Sequence, residues 1–186
     1  MAVVMALLRF PTLILFLGVA AIVVLALAAP SNAAAAGGCA GVQASVAQVS
    51  PRVIGGSVLC LVNTERTTRG LPALRQAARL RLAAARYSRE MVARQFFDHV
   101  SPSGSTLTSR VRRAGYRGGT LGENIGWGTG ALATPVEIVR AWMASPPHRA
   151  VILNRRYREG GVGVASGSPL GAPGPGATFV LDVGTR

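Results

Sequence analysis

The chain of 186 residues contains only two histidines, His99 and His148, and Glu123 lies almost midway between them, 24 residues after the first and 25 before the second. Imidazole is the commonest protein metal ligand and the side chain that exchanges protons near neutral pH. Two imidazoles and one carboxylate form a zinc-type ligand set with an open fourth position. Such a set could bind zinc or another divalent metal, with Glu123 as ligand or general base in a metal-assisted hydrolysis. The same three residues have a plainer reading as a hydrogen-bonded polar cluster that ties helices to a sheet, where a buried Glu123 between two rings needs no metal. Asp98 beside His99 could orient that ring, although exposed loop aspartates are commoner than orienting ones. His148 stands three residues after Ser145, the expected N-cap of a short helix, and the helix dipole there favours a neutral ring. There is no nucleophile elbow, HExxH or phosphate-binding loop.

His99 falls in a loop, Glu123 in a strand and His148 at a helix start, so only the fold can bring them together. The expected helices run from Ser57 to Gly70, from about Gln76 to Phe97, from Ser105 to Ala114, from Thr134 to Ala144 and from Ser145 to about Leu153. The second of these places Leu80, Ala84, Tyr87, Ser88 and Met91 on one face. Thr134-Pro135-Val136-Glu137 reads as a capping box with proline at the first helical position. Strands are expected at Leu121–Trp127, Gly161–Ala165 and Ala177–Val183, the last two joined by a Gly/Pro-rich connection. Helices interspersed with a hairpin point to an antiparallel sheet covered by helices.

The N-terminal residues 1–36 are almost wholly apolar. They read as a secretory signal peptide or an uncleaved membrane anchor. Residues 37–56 read as a small-residue linker, and 57–186 as one domain. Either leader delivers the domain outside the cytoplasm. The only cysteines, Cys39 and Cys60, then suggest one disulfide, worth about 3 kcal/mol by loop entropy. Two free thiols are the alternative. The net charge is +13, and all 20 basic residues are arginine. Export and an aromatic content of 5% argue against nucleic acid as the counter-charge. That leaves an anionic cell envelope, or a solvated basic face with no specific partner.

Four segments occur in order: Leu61-Val62-Asn63-Thr64-Glu65-Arg66 with Gly70-Leu71-Pro72-Ala73-Leu74; Phe97-Asp98-His99-Val100-Ser101-Pro102; Gly122-Glu123-Asn124-Ile125; and Trp142-Met143-Ala144-Ser145-Pro146-Pro147-His148-Arg149 with Ile152-Leu153-Asn154. Together they resemble the bacterial branch of the CAP superfamily, also called SCP-like. This superfamily includes cysteine-rich secretory proteins, antigen 5 and plant pathogenesis-related group 1 proteins. The resemblance spans about residues 58–184.

It implies an α+β fold, a three-layer α–β–α sandwich on a small, mainly antiparallel sheet, with a cleft lined by two histidines and two glutamates. His99, Glu123 and His148 match three of those four positions. The second glutamate is expected three residues after the tryptophan, where this chain has Ser145, which leaves a polar rim open to water. The resemblance implies a secreted or envelope-associated, monomeric domain that touches the membrane only through its N-terminal segment. Its expected role is non-enzymatic binding of a lipid, glycan or protein, with a zinc-dependent hydrolase or peptidase as the alternative. Asn63, Arg66 and Asn124 are expected to be structural hydrogen-bonders, and Trp142 a core residue.

Overall fold

The computed structural model describes residues 38–185. The leader expected over 1–36 lies outside the described residues. In chain order the elements are α1 (Pro51–Thr67), β1 (Arg75–Gln76), α2 (Ala78–Arg94), α3 (Leu107–Arg113), β2 (Leu121–Thr129), α4 (Pro135–Ala144), α5 (Pro146–Ile152), β3 (Glu159–Ser166) and β4 (Gly176–Gly184). A single 3-10 turn, Gly130–Leu132, follows β2.

The strands form one four-stranded sheet in the order β1-β3-β4-β2. β4 pairs antiparallel with both β3 and β2, while β1 joins β3 in parallel. Side chains on a strand alternate between its two faces. Ala177, Phe179, Leu181 and Val183 of β4 enter the main core with Val58 and Val62 of α1 and Val139 and Trp142 of α4. Val180 turns the other way and packs with Ala84, Tyr87 and Met91 of α2. The result is the expected three-layer α+β sandwich, with α1, α4 and α5 on one face and α2 and α3 on the other.

The second layer sits close because β3 has no side chains beneath α2 at two positions. A Cβ on Gly161 would overlap the backbone at Leu80–Arg81, and one on Gly163 would overlap that at Ala84–Ala85. These glycines serve close approach of backbones.

Several elements depart from the sequence expectation. α1 begins at Pro51 rather than Ser57. Gly55-Gly56 reads as a breaker in sequence, yet Gly55 is buried against β3, where a Cβ would stand 3.1 Å from the Val162 carbonyl oxygen. Residues 38–50, expected as linker, lie on the core through Val42, Val46 and Val49. The Cys39–Cys60 disulfide holds this segment to α1. α2 stops at Arg94, three residues short of Phe97, because Gln95 takes a left-handed conformation at φ 51°. Phe96 then folds back against Tyr87, with ring centroids 5.9 Å apart. The capping box at Thr134 does not form: Thr134 Oγ1 donates to the Ala131 carbonyl, and Glu137 pairs with Arg140 instead. The short strand β1 had no recognisable pattern, being two exposed residues, Arg75 and Gln76.

Arg66 explains how α1 is fixed to the far end of the domain. Its side chain is fully buried. Nε donates to the Pro72 carbonyl, Nη1 to those of Ile152 and Asn154, and Nη2 to that of Tyr157. Burial, followed by the charge of Arg158, lowers its pKa from the ordinary arginine value. Asn63 makes a smaller bracket of the same kind, donating to the Leu74 carbonyl and accepting from the Leu74 amide. Replacing Arg66 with Met would keep the aliphatic stem and strip the Pro72, Ile152 and Asn154 carbonyls of their side-chain donor, while the Tyr157 carbonyl keeps Arg158 Nη1. We expect this to cost about 3 kcal/mol or more, since each buried unsatisfied polar group costs roughly 1–3 kcal/mol. Urea unfolding of Arg66→Met against the parent measures it, and an unchanged midpoint would contradict the clamp.

Candidate functional site

The polar centre of the α2–α3 layer is Glu123 of β2, whose side chain is 2% exposed. His99 Nδ1 donates to its Oε1 at 2.8 Å, and Arg110 Nη2 to its Oε2 at 2.6 Å. Arg110 lies in α3 on the side turned to the sheet. Its Nη1 donates to the carbonyls of His99 and Ser105, which sets the loop after α2. Its guanidinium stacks 3.3 Å from the centroid of the Tyr87 ring, a favourable placement of a cation over an aromatic face. The Tyr87 hydroxyl donates to the Asp98 carbonyl at 2.5 Å. Asp98 itself caps the Val100 amide through Oδ1, so the His99 ring is held by Glu123 and not by Asp98.

The hydrogen bond to Glu123 raises the pKa of His99 above its ordinary value, against an opposing effect of burial. The ring remains 54% exposed and presents Nε2 outward from its anchored Nδ1.

Consecutive residues of β2 serve opposite faces. Glu123 turns toward α3, and Asn124 turns toward α5, where its Nδ2 donates to the His148 carbonyl at 3.0 Å. Trp142 Nε1 donates to the Ile125 carbonyl and fixes α4 on the same side. His148 Nδ1 is hydrogen-bonded to Ser145 Oγ at 2.7 Å. Ser145 is the N-cap residue of α5, but its side chain makes no cap bond and serves the ring instead. The pKa of His148 is lowered, first by burial and then by the nearby charge of His99. The direction is the one expected from sequence, and the cause differs from the helix dipole. Since β2 is an edge strand, the two rings approach its rim from the two helical layers.

Beneath the centre lies Asp182, directly across from Glu123 in the β2–β4 register. It is 1% exposed, and neither carboxyl oxygen has a hydrogen-bond partner among the described residues. Its other sheet neighbour is Gly161, which supplies no side chain. Burial, then the charge of Glu123, raises the Asp182 pKa well above the usual carboxylate value.

Residues 59–182 match the model of the cysteine-rich secretory protein family, CAP. The chain belongs to this family. The uncharacterized protein YkwD of Bacillus subtilis (strain 168) is 39% identical over 112 residues, or 60% of this chain and 42% of its own length. The chain therefore spans less than half of that relative. An extracellular protein containing an SCP domain from Bacillus anthracis superposes with a TM-score of 0.61 at 22% identity, covering 74% of this chain and 44% of its own. An outer surface protein of Borrelia burgdorferi gives 0.56 at 19% identity, covering 69% and 90%. At these identities the likeness shows the fold alone.

Of the CAP cleft positions, the structure joins His99 to Glu123 directly and brings His148 within reach of His99's charge. Among the described residues no hydrogen bond joins His148 to Glu123, and no three His, Cys, Asp or Glu side chains are grouped to hold a metal ion. Glu123 is already held by His99 and Arg110 and is 2% exposed, so it is turned away from the side on which a shared ion would sit. Each imidazole is hydrogen-bonded at Nδ1, His99 to Glu123 and His148 to Ser145, so Nε2 is the nitrogen each ring has left for a ligand.

Sequence reading missed Arg110 and Asp182. Arg110 is one arginine among 20. Asp182 did carry a signal, as the single charged residue in the mostly apolar run Ala177–Val183.

Two predictions follow from these charges. In proton NMR titrations the His99 ring should titrate above, and the His148 ring below, the ordinary histidine value near 6.5. A shared midpoint would contradict the Glu123 bond. For Asp182, a pKa raised in the fold means that the native state holds a proton which the unfolded chain has released. Its contribution to stability is therefore full below about pH 3.9 and declines as pH rises through the raised value. Thermal melts of Asp182→Asn against the parent should show this decline in the parent alone, so that the variant gains relative stability toward neutral pH. Parallel curves would contradict a protonated Asp182.

Proposed function

We propose that the protein is an exported, envelope-associated CAP domain that binds an envelope lipid, glycan or protein at the rim of β2 and does not turn it over. The observation that carries this reading is the commitment of Glu123. One oxygen accepts from His99 and the other from the buried Arg110, and the side chain is 2% exposed, so Glu123 is ion-paired and withdrawn from the solvent side where a general base must reach its substrate. What remains toward solvent is the His99 ring and, beside it, the His148–Ser145 pair, a surface of hydrogen-bonding groups. The extracellular and outer-surface descriptions of the structural neighbours support the location, as does the apolar leader read in the sequence.

The second reading, a zinc-dependent hydrolase, draws on one observation. Both imidazoles are held at Nδ1, the arrangement that leaves Nε2 for a metal. A bound zinc would polarise a carbonyl or lower the pKa of a water, and His99 and His148 would hold it.

One experiment separates the readings. Purified protein is analysed for zinc by mass spectrometry, screened for thermal shift against envelope lipids and glycan fragments, and assayed for their hydrolysis with and without chelator. We expect a ligand-dependent shift that a folded His99→Ala, His148→Ala double variant loses, without turnover. Chelator-sensitive hydrolysis abolished by that double variant would overturn the binding reading in favour of the enzyme.

A further inference from the structure

The arginines are not spread evenly over the molecule. Residues 78–117, which hold α2 and α3, contain nine arginines and two acids, Glu90 and Asp98. The other described residues contain nine arginines and five acids. Glu90 is taken by Arg94 at 3.0 Å. Arg79, Arg86, Arg89, Arg113 and Arg117 are exposed, and none has a carboxylate partner among the described residues. Arg79 and Arg86 stand seven residues apart on α2, about 10 Å along the helix axis. This layer is therefore a concentrated, uncompensated positive field on one side of the sheet.

Within it the α2–α3 seam opens a notch of about 50 Å³, lined by Ala83, Arg86, Tyr87, Glu90, Arg110 and Arg113. A water's share of liquid volume is roughly 30 Å³, so the notch has room for one small oxyanion. Arg110 is among the lining residues, and its Nε is buried with no hydrogen-bond partner among the described residues.

We propose that the outer face of α2 and α3 binds a linear, base-free polyanion whose charge is phosphate, with one phosphate seated in the notch between Arg86, Arg110 and Arg113. Guanidinium forks match phosphate oxygens in pairs, and a one-signed face raises the local concentration of a polymer of the opposite sign. Nucleic acid fits this face poorly. Single strands are held by bases stacked on exposed aromatics, and the tyrosines of this layer, Tyr87 and Tyr116, are buried. A lipid surface fits poorly as well. Interfacial helices insert large apolar residues, and the exposed ones here, Val53, Val100, Leu132 and Leu170, lie outside both helices. The proposal concerns a surface distinct from the rim of β2 and holds whether or not that rim binds a ligand.

The test titrates the full chain with fluorescently labelled inorganic polyphosphate at about 50 and about 200 mM salt. A bound polyphosphate should lose roughly tenfold or more in affinity between those salts, because counterions are released on binding. Arg86→Glu with Arg89→Glu and Arg113→Glu should weaken binding tenfold or more. Arg149→Glu with Arg155→Glu and Arg156→Glu makes the same change in net charge elsewhere and should weaken it less than about threefold, if local placement outweighs distant screened charge. Circular dichroism and melting check both triples. Should the first fail to fold, the corresponding Gln triple replaces it, with the same tenfold expectation. Equal losses in the two triples, no binding at the lower salt, or tighter binding to single-stranded DNA or to phosphatidylglycerol vesicles than to polyphosphate would each overturn the proposal.

Discussion

A carboxylate buried beside a sheet must be met by a cation and by hydrogen-bond donors, because an isolated charge away from water costs several kcal/mol or more. In this chain Glu123 is met by Arg110 on one oxygen and His99 on the other, and much of the α2–α3 layer is arranged to make that possible. Arg110 can face inward because the Tyr87 ring lies under its guanidinium and because two loop carbonyls absorb its remaining Nη1 donor capacity. Those carbonyls belong to His99 and Ser105, so the cation that answers Glu123 also shapes the loop that delivers the histidine. Arg110 offsets one negative charge, and Asp182, across the register on the same face, has its pKa raised by burial first and then by the charge of Glu123. Among the described residues the other buried arginine is Arg66, which meets no carboxylate there and spreads its charge over four backbone carbonyls. Arg66 holds elements together. Arg110 does that as well, and it sets the electrostatics of the cleft.

The site is economical in chain terms. Alternation along a strand sends adjacent residues to opposite faces, so Glu123 and Asn124 together grip both helical layers at one edge of the sheet. Glu123 holds the His99 ring on one side, and Asn124 holds the His148 backbone on the other. The histidines therefore need no direct contact with each other to share a rim. Their separation by 49 residues of sequence is bridged by the two consecutive residues of β2.

This division also explains what the sequence made legible. The five helices and the three longer strands follow from periodicity and from turn residues such as Gly70 and Gly115, both at positive φ, and the three-layer fold class from the family resemblance. The cleft residues are legible because the chain's only histidines fall within recognisable segments. The helix starts are less so. Gly55 reads as a breaker until its packing against Val162 is seen, and Thr134 to Glu137 has the letters of a capping box while Arg140 competes successfully for the glutamate. The partners of Glu123 are the least legible. Nothing local marks Arg110 as the buried arginine of α3, since Arg112 and Arg113 follow it, and only the tertiary placement of Tyr87 and Glu123 selects it.

Ser145 bears on what such a cleft attracts. Where related proteins place a second glutamate, this chain places a hydroxyl that binds His148 and adds no charge. With Arg110 offsetting Glu123 and the raised pKa of Asp182 favouring its neutral form, the rim keeps little uncompensated negative charge. It becomes positive whenever His99 takes up a proton, and that protonation is favoured by Glu123. A divalent cation approaching the two Nε2 atoms would meet a neutral or positive site next to the arginine-rich layer. It would have to displace a proton wherever His99 is protonated, a state that the bond to Glu123 favours, so acid pH opposes its binding. A neutral or anionic ligand meets no such opposition. The electrostatics of the rim and those of the α2–α3 face thus favour the same kind of partner, although different residues produce them.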